Sequence, residues 1–248
     1  MPKRILLWTS HARAEIAAGI KTIAGADLVV IEDAAALARE APAAAALICT
    51  DFLYSGEVAA MLRQSAPQLT WIQLLTAGYD SAIRYGVPPG TVLTNAGDAL
   101  SPAVAAHAVA LLLALQRRVP FFLANQARQA WDRSVVSMLA TPAGNTIAIV
   151  GFGSIGREVA RLLRPFGGRT VAVSRSGAPH PLADEVLPAT ALAQVLPRAD
   201  AIVLALPLTP DTHHLIGARE LAACRRNVVI VNVARGAIID HVALAAAL

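Results

Sequence analysis

Cysteine is nearly absent. The chain has two, Cys49 and Cys224, each inside an apolar stretch. Two such thiols read as reduced core residues rather than a disulfide framework, which suits a cytoplasmic protein. Aromatic residues are only 4% of the chain, and no dense Lys/Arg run or aromatic-interleaved basic stripe occurs. Nucleic acid is therefore not an expected partner. Long apolar runs are also missing. The longest, Ala103 to Leu115, contains His107 and is too short to span a bilayer, so no membrane is expected. The early run Ile5–Trp8 gives way at once to Thr9-Ser10-His11 and reads as a first strand, not a signal peptide. There is no low-complexity linker and no short-period repeat, and no metal site is expected.

What is present is a chain rich in core material. Its 248 residues are 56% hydrophobic and 15% charged, enough for one large or two medium α/β domains. The net charge of +4 is unevenly placed: residues 1–100 carry −2 and residues 101–248 carry +6. A basic second half suits an anionic cofactor, and solvated arginines explain it equally well.

The organising stretch is Ile147-Ala148-Ile149-Val150-Gly151-Phe152-Gly153-Ser154-Ile155-Gly156. An apolar β-branched run ends in Gly-x-Gly-x-x-Gly, and a helical pattern follows through Val159, Ala160, Leu162 and Leu163. Strand, tight turn and helix in this order point to a dinucleotide-binding unit, the alternative being an ordinary glycine-rich βα turn. Gly151 permits the turn, Gly153 admits a pyrophosphate, and Gly156 lets the helix pack close to the strand. The free amides and dipole at the helix start then hold the phosphates.

Strand-like and helical runs alternate on both sides of this stretch, which predicts parallel sheets covered by helices. Ile5–Trp8, Leu28–Ile31, Ala46–Cys49, Trp71–Leu75 and Val92–Thr94 read as the strands of a first unit ending near residue 95. A long helix starts at Ser101-Pro102, with Pro120 expected to stop it, and a second helix is expected from Phe121 to about Trp131. The second unit has strands Ile147–Val150, Thr170–Ser174, Glu185–Leu187, Ala201–Leu206 and Val228–Val233.

Four further features fall where a dinucleotide enzyme needs them. Ser174-Arg175-Ser176 ends the second strand of the second unit and offers no carboxylate for an NAD ribose, so NADP is favoured over NAD. Leu206-Pro207-Leu208-Thr209-Pro210 follows the fourth strand and should line the cofactor crevice. Val233-Ala234-Arg235-Gly236 places a guanidinium past the fifth strand, where it can grip a carboxylate and polarise a carbonyl. In the first unit, the amides of Ala77 and Gly78 lie in a small-residue turn able to cradle a carboxylate, or simply to form a turn.

Together these segments resemble the D-isomer-specific 2-hydroxyacid dehydrogenases, most closely the NADP-preferring glyoxylate/hydroxypyruvate reductase branch. The resemblance rests on Thr76-Ala77-Gly78-Tyr79-Asp80, Thr94-Asn95-Ala96-Gly97, Ser101–His107, the glycine loop, Leu206–Thr209 and Asn232–Gly236. It implies two doubly wound domains: a flavodoxin-like substrate domain (1–97) and a Rossmann cofactor domain (98–248), the latter incomplete at its C-terminus. It also implies reduction of a small 2-oxo acid by hydride from NADPH. By that resemblance Arg235 binds substrate carboxylate and carbonyl, the Ala77 and Gly78 amides hold the carboxylate, and Thr209 and Ala234 border the cofactor. A homodimer arm is implied over Gln116–Met138.

Two departures from the family pattern stand out. Ala106 occupies the place of the usual Glu before His107. The family's catalytic histidine and its carboxylate partner lie some tens of residues past the arginine, whereas this chain ends at Leu248. A truncated chain of impaired activity is thus expected, with Val228–Val233 as a self-associating sheet edge. None of the six histidines is expected to substitute, and His107 is expected to be a core or interface residue. The alternative expectation is a non-catalytic NAD(P)-binding sensor or interaction protein on the same scaffold.

Overall fold

In a computed structural model, which describes residues 2–248, the chain divides into two compact units, Met1–Leu100 and Ser101–Leu248. The division lies past the 97/98 junction read from sequence because the segment after the fifth strand is still tied to the first unit. There the Ala99 amide donates to the Ala96 carbonyl, and the Ala96 amide to the Thr76 carbonyl, both at 3.1 Å.

The first unit runs β1 (Lys3–Trp8), α1 (Arg13–Lys21), β2 (Ala26–Val30), α2 (Ala34–Glu40), β3 (Ala44–Cys49), α3 (Gly56–Ser65), β4 (Trp71–Leu74), α4 (Asp80–Tyr85) and β5 (Val92–Thr94). Its strands form one parallel sheet in the order β2-β1-β3-β4-β5, the flavodoxin-like arrangement. Side chains alternate between two buried faces. Leu6, Leu47 and Cys49 join the main core with Leu37 and Leu62, while Leu7 and Ile48 pack against Ala17 and Ile20 of α1. Burial on both faces is why these strands read as nearly continuous apolar runs.

The second unit runs α5 (Ser101–Gln116), α6 (Val119–Ala127), β6 (Thr146–Val150), α7 (Ser154–Leu163), β7 (Arg169–Ser174), β8 (Glu185–Pro188), α8 (Leu192–Val195), β9 (Ala201–Leu204), α9 (Ala218–Ala223), β10 (Val229–Asn232) and α10 (His241–Ala247). Its sheet, also parallel, has the order β10-β9-β6-β7-β8. This is the Rossmann order over five strands, with the chain reversing direction across the sheet at β6 and β10 at an edge. Ile147 and Ile149 face α5 and α7, where they meet Leu112, Val159 and Leu163. Ala148 and Val150 face Leu192, Val195 and Ile202 on the other side.

Several local expectations are corrected. Pro120 opens a helix instead of closing one: α5 ends at Gln116, Arg118 takes a left-handed φ of 54°, and Pro120 sits in the first turn of α6. Proline is well suited there, because first-turn amides have no helical acceptor to lose. That second helix ends at Ala127 rather than near Trp131, and the Trp131 side chain is 92% exposed. Between β8 and β9 the helix is short, Leu192–Val195, and lies between two 3₁₀ turns, the second carrying Pro197. His107 is exposed on α5, not in the core. Cys49 is buried but Cys224 is only half-buried, and both are free. No described helix is long and apolar enough to cross a membrane, and the one pair that passes jointly, α5 with α6, is bent by 67°.

Candidate functional site

In the second unit the sequence-predicted residues collect at one edge of the sheet. All five strands are parallel, so the segments after β6, β7, β9 and β10 leave the sheet at the same side. The three glycines of the first turn have three different surroundings. Gly151 has φ +95°, and a methyl there would lie 2.4 Å from the Ala205 carbonyl oxygen after β9. Only glycine tolerates both the conformation and that approach. A methyl at Gly156 would lie 2.1 Å from the Gly151 carbonyl oxygen, so the helix packs directly on the turn. At Gly153 nothing lies within 4 Å, and Gly153 and Ser154 are exposed at the tip.

The turn is braced from below. The Arg157 Nε donates to the Phe152 carbonyl at 3.1 Å, and the Gly151 amide donates to the Val173 carbonyl at 2.9 Å. Phe152 buries its ring, edge-on to His180 at 5.4 Å, so only its backbone faces the crevice. Ile155 is half-buried against the α5–α7 core. Gly153 caps α7 without a side-chain acceptor, and backbone bonding resumes with the Arg157 amide on the Gly153 carbonyl at 2.9 Å. The first-turn amides of α7 therefore face the open tip, an anion-binding arrangement. This cradle fits a dinucleotide pyrophosphate.

The flanking loops carry the remaining residues. After β7, the Ser174 and Ser176 hydroxyl oxygens accept from the amides of Gly177 and Ala178 at 3.1 and 3.3 Å, and the Arg175 side chain is exposed. After β9, Leu206 is half-buried, while Pro207 and Thr209 are exposed. Sequence reasoning overlooked Thr212, whose hydroxyl donates to the Pro207 carbonyl and accepts from the Thr209 amide, both at 2.7 Å. After β10, the Val233 amide donates to the Leu204 carbonyl at 3.1 Å. Asn232 then clamps the turn: its Oδ1 accepts from the Ala234 amide and its Nδ2 donates to the Arg235 carbonyl, both at 2.9 Å. The Arg235 side chain is exposed, with Nη1 also donating to the Ala234 carbonyl at 3.1 Å.

In the first unit, the turn after β4 carries Ala77 and Gly78. The Thr76 carbonyl accepts from the Ala96 amide at 3.1 Å, and the Ala77 carbonyl accepts from Asn95 Nδ2 at 2.8 Å. No peptide among the described residues is cis, so each following N–H points away from its carbonyl. The amides of Ala77 and Gly78 are thereby both turned away from the Asn95–Ala96 strand end. Thr76 Oγ1 donates to the Gly78 carbonyl at 2.8 Å, and the Asp51 carboxylate accepts from the Ser81 and Ala82 amides at 3.1 and 3.4 Å. Asn95, quoted in sequence only as part of Thr94–Gly97, and Asp51, which was not singled out, thus shape this turn. The only sequence signal of Asp51 was polarity after a strand end. Neighbouring Cys49 is no nucleophile: burial, then the Asp51 charge, pushes its thiol up to about 12.

Comparison with known proteins agrees with this geometry. A family model described as the NAD binding domain of D-isomer specific 2-hydroxyacid dehydrogenases matches residues 109–248, more than half of the chain. A glyoxylate reductase of Thermococcus gammatolerans is 36% identical over 193 residues, covering 74% of this chain. The chain spans 57% of that relative's length. A solved structure of a D-isomer specific 2-hydroxyacid dehydrogenase family protein from Aeromonas salmonicida superposes with a TM-score of 0.87 at 27% identity, over 100% of this chain and 78% of that one. A formate dehydrogenase of Staphylococcus aureus, solved with NAD, gives 0.79 at 25% identity over 99% of this chain and 77% of that one. No group of metal-ligating side chains occurs among the described residues.

Proposed function

The chain belongs to the D-isomer specific 2-hydroxyacid dehydrogenase family, and on that premise we propose that it serves hydride transfer between NADP(H) and a small 2-oxo or 2-hydroxy acid of the glyoxylate or hydroxypyruvate type. The observation that carries the reading is the glycine turn, closed at Gly151 and Gly156 and open at Gly153. In it, the amides at the head of α7 hold the pyrophosphate. Ser174, Arg175 and Ser176 meet the 2′-phosphate, since two hydroxyls and a guanidinium stand where NAD enzymes place a carboxylate. Leu206, Pro207, Thr209, Val233 and Ala234 border the cofactor.

When bound, the nicotinamide supplies the hydride. The chain's own residues hold and polarise the acid. Within the first unit, the Ala77 and Gly78 amides are the donors for a carboxylate. Arg235 grips carboxylate and carbonyl and offsets the negative charge that develops on oxygen. Asn232 holds the Arg235 turn in place through its two 2.9 Å bonds. A homodimer through 116–138 is supported by exposed Leu123 (58%) and Met138 (51%).

The test titrates the purified chain with NADPH and NADH by fluorescence, then adds oxamate, a 2-oxo acid mimic. NADPH is expected to bind more tightly than NADH. Arg235→Gln is expected to weaken oxamate capture about tenfold or more while leaving NADPH affinity intact. A folded chain that binds neither dinucleotide refutes the reading. Dinucleotide binding with no oxo acid capture instead favours a non-catalytic binding protein.

A further inference from the structure

The second unit holds a cavity of about 430 Å³ at the end of the sheet away from the glycine turn. Asn145, Asp200 and Val228 line it and immediately precede β6, β9 and β10 or their first residues, so it opens at the amino ends of those strands. Its size falls within the range of small-molecule sites.

Two features of its wall are unmet. The first is charge. Asp200 is already neutralised by its ion pair with Arg225, and its other oxygen accepts from the Thr146 amide at 2.8 Å. Arg118 and Arg226 line the same cavity, and neither side chain makes a hydrogen bond or ion pair among the described residues. The second is a buried acceptor. Gln116 is only 3% exposed, it lines the cavity, and its Oε1 has no partner. Buried amide oxygens are ordinarily satisfied, so one left without a donor in a polar cavity marks a place for a ligand donor.

We infer that this cavity binds a small hydroxylated phosphate monoester. Two uncompensated guanidiniums match the near-double negative charge of the phosphate. A ligand hydroxyl donates to Gln116 Oε1, and Asn227 and Ser137 offer further polar contacts. The site is separate from the dinucleotide turn, because β6 runs the depth of the sheet between Asn145 and Gly151.

The test titrates the purified chain with glycerol 3-phosphate, inorganic phosphate and glycerol, followed by calorimetry and by the amide resonances of Gln116, Ala140 and Asn227. Glycerol 3-phosphate is expected to bind, to move these resonances and to leave Gly153 and Ser154 unmoved. It is expected to bind several-fold tighter than phosphate, with glycerol inert. Arg118→Gln with Arg226→Gln is expected to lower its affinity about tenfold or more, with the melting curve unchanged. Gln116→Leu is expected to abolish the ester's advantage over phosphate. No binding, resonance shifts confined to the glycine turn, equal affinity for phosphate and ester in the unsubstituted chain, or unchanged affinity in the double variant each overturn the inference.

Discussion

A methyl group placed at each glycine of the first turn separates folding from binding. At Gly156 the added carbon falls 2.1 Å from the Gly151 carbonyl oxygen and 3.1 Å from the Ile149 Cγ2. Neither neighbour can retreat, since one is backbone and the other is core. Overpacking of this kind costs about 1–3 kcal/mol, and the gain in helix propensity offsets less than about 1 kcal/mol of it. Gly151→Ala meets the Ala205 carbonyl at 2.4 Å and must also hold φ +95°. The left-handed backbone adds about 1–2 kcal/mol. Domains of this size lose about 2–4 °C of Tm per kcal/mol, so Gly151→Ala should melt about 4–20 °C lower and Gly156→Ala up to about 12 °C lower. Gly153→Ala meets nothing within 4 Å, and its φ of −80° is ordinary. Its Tm should fall by no more than about 4 °C, because alanine is a poorer N-cap than glycine by about 0.5–1 kcal/mol. Its methyl nevertheless stands where the pyrophosphate must approach, so NADPH affinity should fall about ten- to a hundredfold, or about 1.4–2.8 kcal/mol. Thermal melting by circular dichroism and NADPH fluorescence titration on the three variants decide the matter. If Gly153→Ala melts as low as Gly156→Ala, or binds NADPH as tightly as the unsubstituted chain, the reasoning fails.

Two other outcomes follow from named side chains. Ser174→Asp places a carboxylate at the end of β7, where it should repel a 2′-phosphate and accept from a ribose hydroxyl. The NADPH-to-NADH affinity ratio is expected to drop about tenfold or more, and a ratio that does not move removes Ser174 from cofactor choice. Glu185 is held below its ordinary 4.5 chiefly by a hydrogen bond from Arg198, with Arg169 adding to it. A depressed carboxylate stabilises the fold above its unfolded value and loses that contribution as pH falls through the lower native one. Glu185→Gln should therefore melt up to about 4 °C lower at neutral pH, with the gap closing as pH is taken below 4.5. A gap that widens on acidification contradicts the sign.

Much of this protein is determined locally and was legible from residues alone. Two-faced apolar strands such as Ile147–Val150, set between amphipathic helices, leave few alternatives to parallel sheets, because each side chain must be buried on one face or the other. The glycine turn was legible for the same reason: its geometry is a property of the backbone, and only residue type decides whether it forms. Tertiary structure decided what depends on partners distant in sequence. Asn95 holds the Ala77 carbonyl and Asp51 accepts from the Ser81 and Ala82 amides, so the Ala77–Gly78 turn takes its shape only once three strand ends meet. Pro120 opened a helix where a stop was expected, since a proline's meaning depends on which side of it the backbone turns, and Arg118 made that turn at φ 54°. His107 faced outward because an alanine-rich helix gives little periodic signal, and packing against β6 and α7 chose its buried face. Residue types set which contacts are possible, and the meeting of remote segments selects those that form.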